Sequence, residues 1–317
     1  MARIFITGGL GFIGSHVAEL AVAEGHEVVV FDNLSSGHRS NVSAAVRVIE
    51  ADLRDAGTLD SAVRSFQPDL ISHQAAQASV PESFLNPEQD AEVNILGTLN
   101  LLESARRHGV RRIVMASTGG AIYGEVPEGT LGRVGGPERP STPYAVSKLA
   151  AEHYLAVYSH HHGLAGSVLR YSNVYGERQS ASGEAGVVAI FCQALLRGAA
   201  MRVNGRLTSG DRGCIRDYVY VGDVARANLL ALGGRLAPVF DIGTGIGTDA
   251  QTLAETLMSG SGATSPIVGA EPRRGDVQRS VLDGAPLRAV LGEVTPLSEG
   301  LARTFTWYRN AQETVLS

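Results

Sequence analysis

The first half of the chain alternates short aliphatic and β-branched runs with longer stretches in which apolar positions recur every three or four residues. Short continuous runs are typical of strands buried on both faces, and the wider spacing is typical of helices that bury one side. Strands are predicted at residues 3–7, 27–31, 46–50, 70–73, 112–116 and 168–170. Helices are predicted at residues 12–24, 58–66, 90–108 and 144–162. Because strands and helices alternate, we expect right-handed crossovers and a doubly wound parallel sheet.

The pattern loosens after about residue 174, but residues 218–221 and 239–242 still have the composition of strands and residues 224–232 that of a helix. We expect these elements to return to the first domain, so that two domains interleave along the chain. The predicted class is α/β, with a Rossmann-like doubly wound parallel sheet and a smaller α/β C-terminal domain. The first domain is predicted to span residues 1–174 and about 218–245, and the second to span residues 175–217 and 246–317.

The composition narrows the class of function. A net charge of −5 leaves no surplus of positive charge to meet phosphates, which argues against nucleic acid as a main partner. No apolar run approaches the ~20 residues of a membrane span, and no signal peptide is visible, so we expect a cytoplasmic protein. The two cysteines, Cys192 and Cys214, lack the paired spacing of a zinc site, and no metal is expected.

A glycine cluster lies between the first predicted strand and the first predicted helix. Gly8 suits the tight turn, Gly11 allows the backbone to approach a pyrophosphate, and Gly14 allows close packing of helix on strand. The amino terminus of the following helix attracts the same anion. This context predicts a dinucleotide site.

An acid follows the second predicted strand. Asp32 is placed to accept hydrogen bonds from the adenosine ribose hydroxyls, and it would repel a 2′-phosphate. NAD is therefore favoured over NADP, although the nearby Arg39 keeps the alternative open. Asp52, after the third strand, either faces the adenine or caps the next helix.

A tyrosine and a lysine are spaced by four residues further along the chain. Tyr144 and Lys148 therefore share one face of a helix. An ammonium at that distance favours the phenolate of a tyrosine and so turns a weak base into a useful one. Lys148 is the only lysine among the 27 basic residues, which indicates that this position needs a compact ammonium and not a guanidinium.

These features together resemble the extended short-chain dehydrogenase/reductase superfamily, and within it the NAD-dependent epimerase/dehydratase family and its UDP-glucose 4-epimerase branch. The resemblance rests on the glycine loop, Asp32-Asn33-Leu34, His73-Gln74-Ala75-Ala76, Tyr144 with Lys148, residues 170–176 (RYSNVYG) and residues 216–219 (RDYV). It implies an NAD-dependent enzyme that interconverts UDP-glucose and UDP-galactose by transient oxidation at C4, with Tyr144 taking the proton of the sugar 4-hydroxyl. It also implies a homodimer formed through helices 90–108 and 144–162.

The resemblance further implies a hydroxyl side chain near the end of the fifth strand that hydrogen-bonds the reacting sugar oxygen. We favour Thr118 for this role and keep Ser117 as the alternative. Dehydratases of the family carry an Asp-Glu pair next, where this chain has Gly119 and Gly120, so elimination chemistry is disfavoured. Two competing interpretations remain: a dehydratase or decarboxylase of the same family, and an NAD-binding regulator. Such regulators usually lose the Tyr–Lys pair.

The resemblance implies two sets of binding residues. Those expected at the cofactor are Gly8, Gly11, Phe12, Ile13, Gly14, Asp32, Asn33, Asp52, Leu53, Ala75, Ala76, Asn94, Tyr144, Lys148 and Tyr171. Those expected at the UDP-sugar are Asn173, Val187, Val188, Arg216, Arg273, Asp276 and Ser280. In the second set Arg216 and Arg273 would bind the diphosphate, with Arg274 as an alternative to Arg273. Ser280 is small, which leaves room beside the sugar 2-position and predicts activity on N-acetylhexosamine nucleotides.

The histidines are assigned no catalytic role. Consecutive residues on a helix point in different directions, so His160, His161 and His162 are not expected to converge on a metal. His73 ends a buried strand and is interpreted as a core histidine.

Overall fold

A computed structural model describes residues 1–180, 186–205, 211–271 and 277–316, with side chains up to residue 312. The strands are β1 Arg3–Thr7, β2 Glu27–Asp32, β3 Arg47–Glu50, β4 Leu70–His73, β5 Arg112–Thr118, β6 Ala165–Tyr171, β7 Asn173–Tyr175, β8 Met201–Asn204, β9 Ile215–Tyr220, β10 Val239–Ile242, β11 Gly247–Asp249, β12 Ile267–Ala270 and β13 Arg279–Ser280. The helices are α1 Phe12–Ala23, α2 Ala56–Phe66, α3 Val80–Leu85, α4 Pro87–Ala91, α5 Gly97–Arg107, α6 Gly119–Ile122, α7 Pro143–His162, α8 Val187–Leu196, α9 Val221–Leu232, α10 Ala250–Ser261, α11 Ala285–Leu291 and α12 Leu297–Leu316.

The main sheet has seven strands in the order β10-β6-β5-β4-β1-β2-β3. β1 lies between β2 and β4 and runs parallel to both, so that Thr7 is level with Phe31 on one side and His73 on the other. This is the parallel Rossmann-like sheet that the alternation of strands and helices predicts, and the predicted fold class is confirmed. It brings the carboxyl ends of the strands to one edge, where such folds bind ligands.

The main apolar core lies on the sheet where α2, α5 and α7 contribute buried residues. Phe5, Phe31 and Phe66 are all at most 2% exposed there and pack with ring centroids 5.7 and 6.4 Å apart. The apolar runs of the strands are buried on both faces of the sheet, which explains why they show no alternation with polar residues.

The predicted helix 90–108 is interrupted. It consists of α4, a π-helical stretch at Glu92–Leu96, and α5. A π-helical turn adds a residue to the turn and rotates the following side chains. Asp90 and Asn94 are both buried here, although both are polar.

The backbone divides into two compact units. The first unit comprises Met1–Thr118, Pro140–Arg170 and Val224–Phe240, and the second comprises Gly119–Arg139, Tyr171–Asp223 and Asp241–Ser317. Within the second unit, β9 pairs with β7, β11 and β13, and β8 pairs with β12. Residues 218–221 are predicted to return to the first domain, but β9 pairs in this small sheet, where Tyr218 and Tyr220 pack on Tyr175. Apolar composition indicated a strand but not which strands it would pair with.

Within the described ranges, no helix combines the length and the apolar character needed to cross a membrane.

Candidate active site

The glycine loop is held in a conformation that side chains would prevent. Gly8 has a φ of +66°, and a Cβ added there would lie 2.5 Å from the backbone nitrogen of Ala75. A Cβ on Gly14 would overlap the carbonyl oxygen of Gly8. The loop ends at Gly11, the residue that caps α1, so the unpaired N–H groups of the first helical turn border the loop. Such a turn fits a pyrophosphate.

Asp32 connects the end of β2 to this loop. Its carboxylate accepts hydrogen bonds from the backbone N–H of Leu10 at 2.9 Å and of Leu34 at 2.8 Å. The side chain is buried, and each oxygen retains lone pairs beyond those it uses in these bonds. The acid is therefore fixed at the carboxyl edge of the sheet, where a ribose is expected.

Two alternatives left by the sequence are decided by contacts. Arg39 donates to the backbone carbonyls of four residues of the following loop, which are Val42, Ser43, Ala44 and Val46. It is thus committed to that loop and not directed to a 2′-phosphate. The cap of α2 is Asp55, which accepts from the Thr58 N–H at 3.0 Å, so the interpretation of Asp52 as that cap is wrong.

Asp52 instead forms a polar pair beside the loop. It accepts hydrogen bonds from Arg54 and from the side-chain amide of Asn33, each at 2.9 Å. The hydrogen bond from Arg54 contributes most to holding the pKa of the Asp52 carboxyl well below its ordinary value. Asp52 is therefore an anion whose position is fixed by its neighbours.

The structure assigns each of the other predicted cofactor residues to an element or to the segment beside one. Phe12 and Ile13 open α1, Leu53 is buried ahead of α2, Ala75 and Ala76 follow β4, Asn94 lies in the π-helical stretch, and Tyr171 ends β6. All except Tyr171 belong to the first unit. The glycine loop and Asp32 thus lie in the same unit as Tyr144 and Lys148.

The proposed catalytic pair lies at the start of α7. The side chain of Thr142 caps the helix by accepting the Ala145 N–H at 3.1 Å. Tyr144 is in the first turn and is half-buried, while Lys148, one turn later, is only 2% exposed. Ser147 donates to the carbonyl of Tyr144 at 3.0 Å. Tyr144 and Lys148 therefore lie on one side of a well-capped helix.

The ammonium of Lys148 has an unusual environment. Burial lowers the pKa of Lys148 from 10.5 to about 8, and the carboxylates of Glu152 and Asp90 oppose that shift. His73 is also near, but burial lowers its pKa to about 3, so its ring is neutral near pH 7. That ring lies between Thr7 at 2.7 Å and Thr98 at 3.0 Å, which confirms its interpretation as a core histidine.

The two candidate hydroxyls differ in burial. Ser117 is buried and donates to the carboxylate of Glu152, which also accepts from Arg170 at 2.6 and 3.1 Å. Thr118 is the last residue of β5 and is only partly buried. The hydroxyl of Ser117 is therefore part of a buried ionic network, and that of Thr118 lies at the carboxyl end of its strand.

The predicted substrate residues belong to the second unit. Asn173 begins β7, Val187 and Val188 form the first turn of α8, Arg216 lies on β9 and Ser280 on β13. Arg216 donates to the carbonyls of Ile215 and Gln278 at 3.1 and 3.4 Å. The hydroxyl of Ser280 donates to the carbonyl of Gly120 at 3.3 Å. Arg273, its alternative Arg274, and Asp276 lie outside the described residues.

The strand that carries Arg216 is fixed by a buried acid. Asp217 accepts hydrogen bonds from the backbone N–H groups of Thr244, Gly245 and Leu282. Burial raises the pKa of the Asp217 carboxyl despite those bonds. Asp217 thus ties β9 to two neighbouring segments of the second unit and is a structural residue.

Sequence reasoning missed two acids near the catalytic pair. Glu152 lies four residues after Lys148, a spacing that places both on one helix face and could have revealed it. Asp90 had no such signal, because its proximity to α7 depends on packing between distant segments.

A family model gives the wider context. The model of the NAD dependent epimerase/dehydratase family matches residues 4–243. The chain belongs to this family.

Three relatives show how close the similarity is. The chain is 48% identical to the UDP-glucose 4-epimerase of Thermus thermophilus, a crystal structure in complex with NAD, with 98% of this chain and 99% of that one covered and a TM-score of 0.92. It is 41% identical to the UDP-glucose 4-epimerase of Thermotoga maritima, solved with UDP-glucose, at the same coverage and a TM-score of 0.92. It is 40% identical to the UDP-glucose 4-epimerase of Mycolicibacterium smegmatis, over 98% of this chain and all of that one.

The family depends on NAD, so the prediction of NAD as the cofactor is confirmed. The residues of this chain fit it. A side chain at Gly8 or Gly14 would fill the loop, and the acid that favours NAD over NADP, Asp32, is in place.

Proposed function

We propose that this member of the family is a UDP-hexose 4-epimerase, which interconverts UDP-glucose and UDP-galactose by transient oxidation at C4. The observation that carries the proposal is the Tyr144–Lys148 pair on α7, in the unit that also holds the glycine loop and Asp32. The relatives named above supply the substrate class, since their names specify UDP-glucose.

Lys148, Tyr144 and Thr118 have different roles in the proposed reaction. The buried ammonium of Lys148 favours the phenolate of Tyr144, which takes the proton of the sugar 4-hydroxyl and later returns it. The nicotinamide supplies the reversible oxidation at C4 when NAD is bound. Thr118 donates a hydrogen bond to the reacting oxygen, because Ser117 is already held by Glu152.

The segment after Thr118 supports epimerisation over elimination. Loss of water from a sugar needs an acid and a base, and neither Gly119 nor Gly120 can transfer a proton. These two residues begin the short helix α6. A dehydratase is therefore the weaker alternative, and a regulator without chemistry would have no need of a buried lysine beside a tyrosine.

We assign the two units different roles. The first unit would hold NAD and the catalytic residues. The second would bind the UDP-sugar, with Arg216 as a cation for the diphosphate, as arginine suits phosphate oxygens. The expected partners beyond substrate are copies of this chain.

An exposed apolar surface supports a homodimer. Leu96 on the π-helical stretch and Val146, Tyr154 and Val157 on α7 are between 40% and 54% exposed. On α7 the spacing of these three residues places them on one side of the helix. We propose that the same surface of a second copy covers them, through the helices that the sequence analysis names.

A direct assay tests the function. The purified protein, incubated with UDP-galactose, is expected to form UDP-glucose, which anion-exchange chromatography separates. Tyr144→Phe should lower kcat by about 10²–10⁴-fold, because it removes a general base. Tyr154→Phe is the matched control, since it removes only the hydroxyl of another tyrosine on the same helix and keeps the ring that the proposed interface would cover. Absence of UDP-glucose would refute the function, and full activity of Tyr144→Phe would refute the mechanism.

A further inference from the structure

Four charged side chains are buried together in the first unit. Asp90, Lys148, Arg170 and Glu152 are all at most 6% exposed. A buried charge is costly unless an opposite charge balances it. The set contains two cations, Lys148 and Arg170, and two anions, Asp90 and Glu152. Their contacts indicate which anion neutralises which cation.

Glu152 is already paired. Arg170 donates to both of its carboxylate oxygens, with Nε at 3.1 Å from each and Nη2 at 2.6 Å from Oε2. Ser117 donates to the same carboxylate. Arg170 therefore offsets much of the charge of Glu152, although Glu152 still acts on Lys148, and Asp90 is the second carboxylate that does so.

Other groups near Lys148 do not supply that charge. His73 on β4 is neutral near pH 7 because burial lowers its pKa to about 3. Arg170 on β6 is a cation. On α7 itself the titratable neighbours are Tyr144, which the ammonium serves, and Glu152.

Asp90 is attached to the catalytic helix through an amide and a hydroxyl. Its Oδ1 accepts from Gln77 at 3.0 Å and from Asn94 at 3.1 Å. Asn94 also donates to the hydroxyl of Ser147 at 3.1 Å, so that its amide bridges Asp90 and Ser147. Since Ser147 directly precedes Lys148 and donates to the carbonyl of Tyr144, the carboxylate is linked to the turn that carries both catalytic residues.

We propose that Asp90 is the counter-ion of Lys148 and a positioning residue for the Tyr144–Lys148 pair. This inference rests on the proposed function. The charge of Asp90 keeps the buried ammonium protonated at the pH at which the enzyme works. The hydrogen bonds of Asp90, through Asn94, fix the first turn of α7. The π-helical stretch accompanies this arrangement, because it lies between Asp90 and α5 and itself contains Asn94.

The chain offers a direct measurement. Lys148 is its only lysine, so protein labelled with [ε-¹³C]lysine gives one lysine resonance, and a pH titration of the NAD-loaded protein by NMR reads the pKa of Lys148 alone. Asp90→Asn should lower that pKa by about one pH unit, because it removes an opposite charge that acts on the buried ammonium. The matched control is Glu88→Gln, which removes an exposed carboxylate from the same helix and should leave the resonance unchanged.

The activity of the same variants provides a second readout. Because a neutral lysine cannot favour the phenolate, Asp90→Asn should move the alkaline limb of the pH–kcat profile to lower pH with little change in KM. A merely structural role would lower activity without moving the profile. An unchanged pKa of Lys148 in folded Asp90→Asn would overturn the proposal.

If Asp90→Asn does not fold, the pKa of Lys148 in the wild-type protein tests the proposal instead. A fully buried lysine without a counter-ion has a pKa of about 5–6. The proposal requires a wild-type value near 8 or above, and a value of about 6 or lower would overturn it. Since the NMR readout needs no turnover, its failure is distinguishable from failure of the proposed function.

Discussion

Ser117 donates its hydroxyl hydrogen bond to Glu152, 35 residues further along the chain. The adjacent hydroxyl, that of Thr118, is at the end of β5 and only partly buried. Two neighbouring hydroxyls thus have different surroundings, and we assign the first to the stability of the fold and the second to substrate.

Substitution of each hydroxyl should separate these roles. Thr118→Val keeps the shape of the side chain but loses the donor, and should lower kcat for UDP-galactose by about 10²-fold. Ser117→Ala should leave kcat within a few fold and lower the free energy of unfolding by about 1.5–3 kcal/mol, since it removes a hydrogen bond to a charged group. Steady-state kinetics and urea unfolding measure the two effects. The assignment is reversed if Ser117→Ala has the larger loss of kcat.

Asp32 should control the choice between NAD and NADP. Asp32→Asn removes the negative charge that would repel a 2′-phosphate but retains an oxygen that can accept the Leu10 N–H. The preference for NAD should fall by about tenfold or more, since a like charge placed against a ligand costs several kcal/mol. Binding of both cofactors to cofactor-free protein, followed by calorimetry, gives the ratio.

Asp52→Asn is the control for that measurement. Its carboxylate is already paired with Arg54, so the variant should retain the preference for NAD. Equal loss of preference in both variants would mean that general charge, and not the position of Asp32, selects the cofactor.

The fold followed from local patterns to a large extent. β1, β4 and β10 have the predicted bounds because each is a short apolar run with clear ends. The interruption at Glu92–Leu96 could not be predicted, since the polar residues Asp90 and Asn94 are buried there against partners more distant in sequence, Gln77 and Ser147. Periodicity alone assigns such residues to the solvent.

Part of the candidate site could likewise be predicted from local sequence, and part could not. The glycine loop and the spacing of Tyr144 and Lys148 are local, so the sequence sufficed to propose them. The choice between Ser117 and Thr118 depended on Glu152, whose contact with β5 exists only after the sheet has formed. Local spacing contains no information about such a contact.

Ser280 should permit larger substrates. Its small side chain predicts measurable turnover of UDP-GlcNAc, whose acetamido group lies at the sugar 2-position. Ser280→Tyr should reduce that activity by at least about tenfold relative to UDP-galactose, because it fills the space, whereas Ser280→Ala should keep it. If the wild-type protein processes UDP-glucose but not UDP-GlcNAc, this prediction is wrong.

The exposed apolar surface of α7 should mediate self-association. Val157→Arg places a charge in the proposed interface and should convert dimers to monomers at micromolar concentration, as measured by sedimentation. Val22→Arg makes the same change at an exposed valine of α1 and should leave the dimer intact. A monomeric wild-type protein would rule out the interface.

His73 should make the protein sensitive to acid. Its pKa is about 3 in the fold, against 6.5 for an ordinary histidine. Below pH 6.5 the unfolded chain therefore binds a proton that the folded protein does not, so the free energy of unfolding falls as the pH drops toward 3. Burial of the ring between Thr7 and Thr98 is the cause.

His73→Gln should remove that part of the pH dependence. At pH 7.5 the variant should be less stable than wild type, because its amide replaces the ring's hydrogen bonds imperfectly, and the difference should shrink as the pH is lowered to 5. Urea unfolding at several pH values measures this, with His160→Gln as a control at an exposed histidine. A difference that stays constant from pH 7.5 to 5 would show that His73 is protonated equally in both states, and the acid sensitivity would then have to arise from carboxyls whose pKa the fold lowers, such as Asp52.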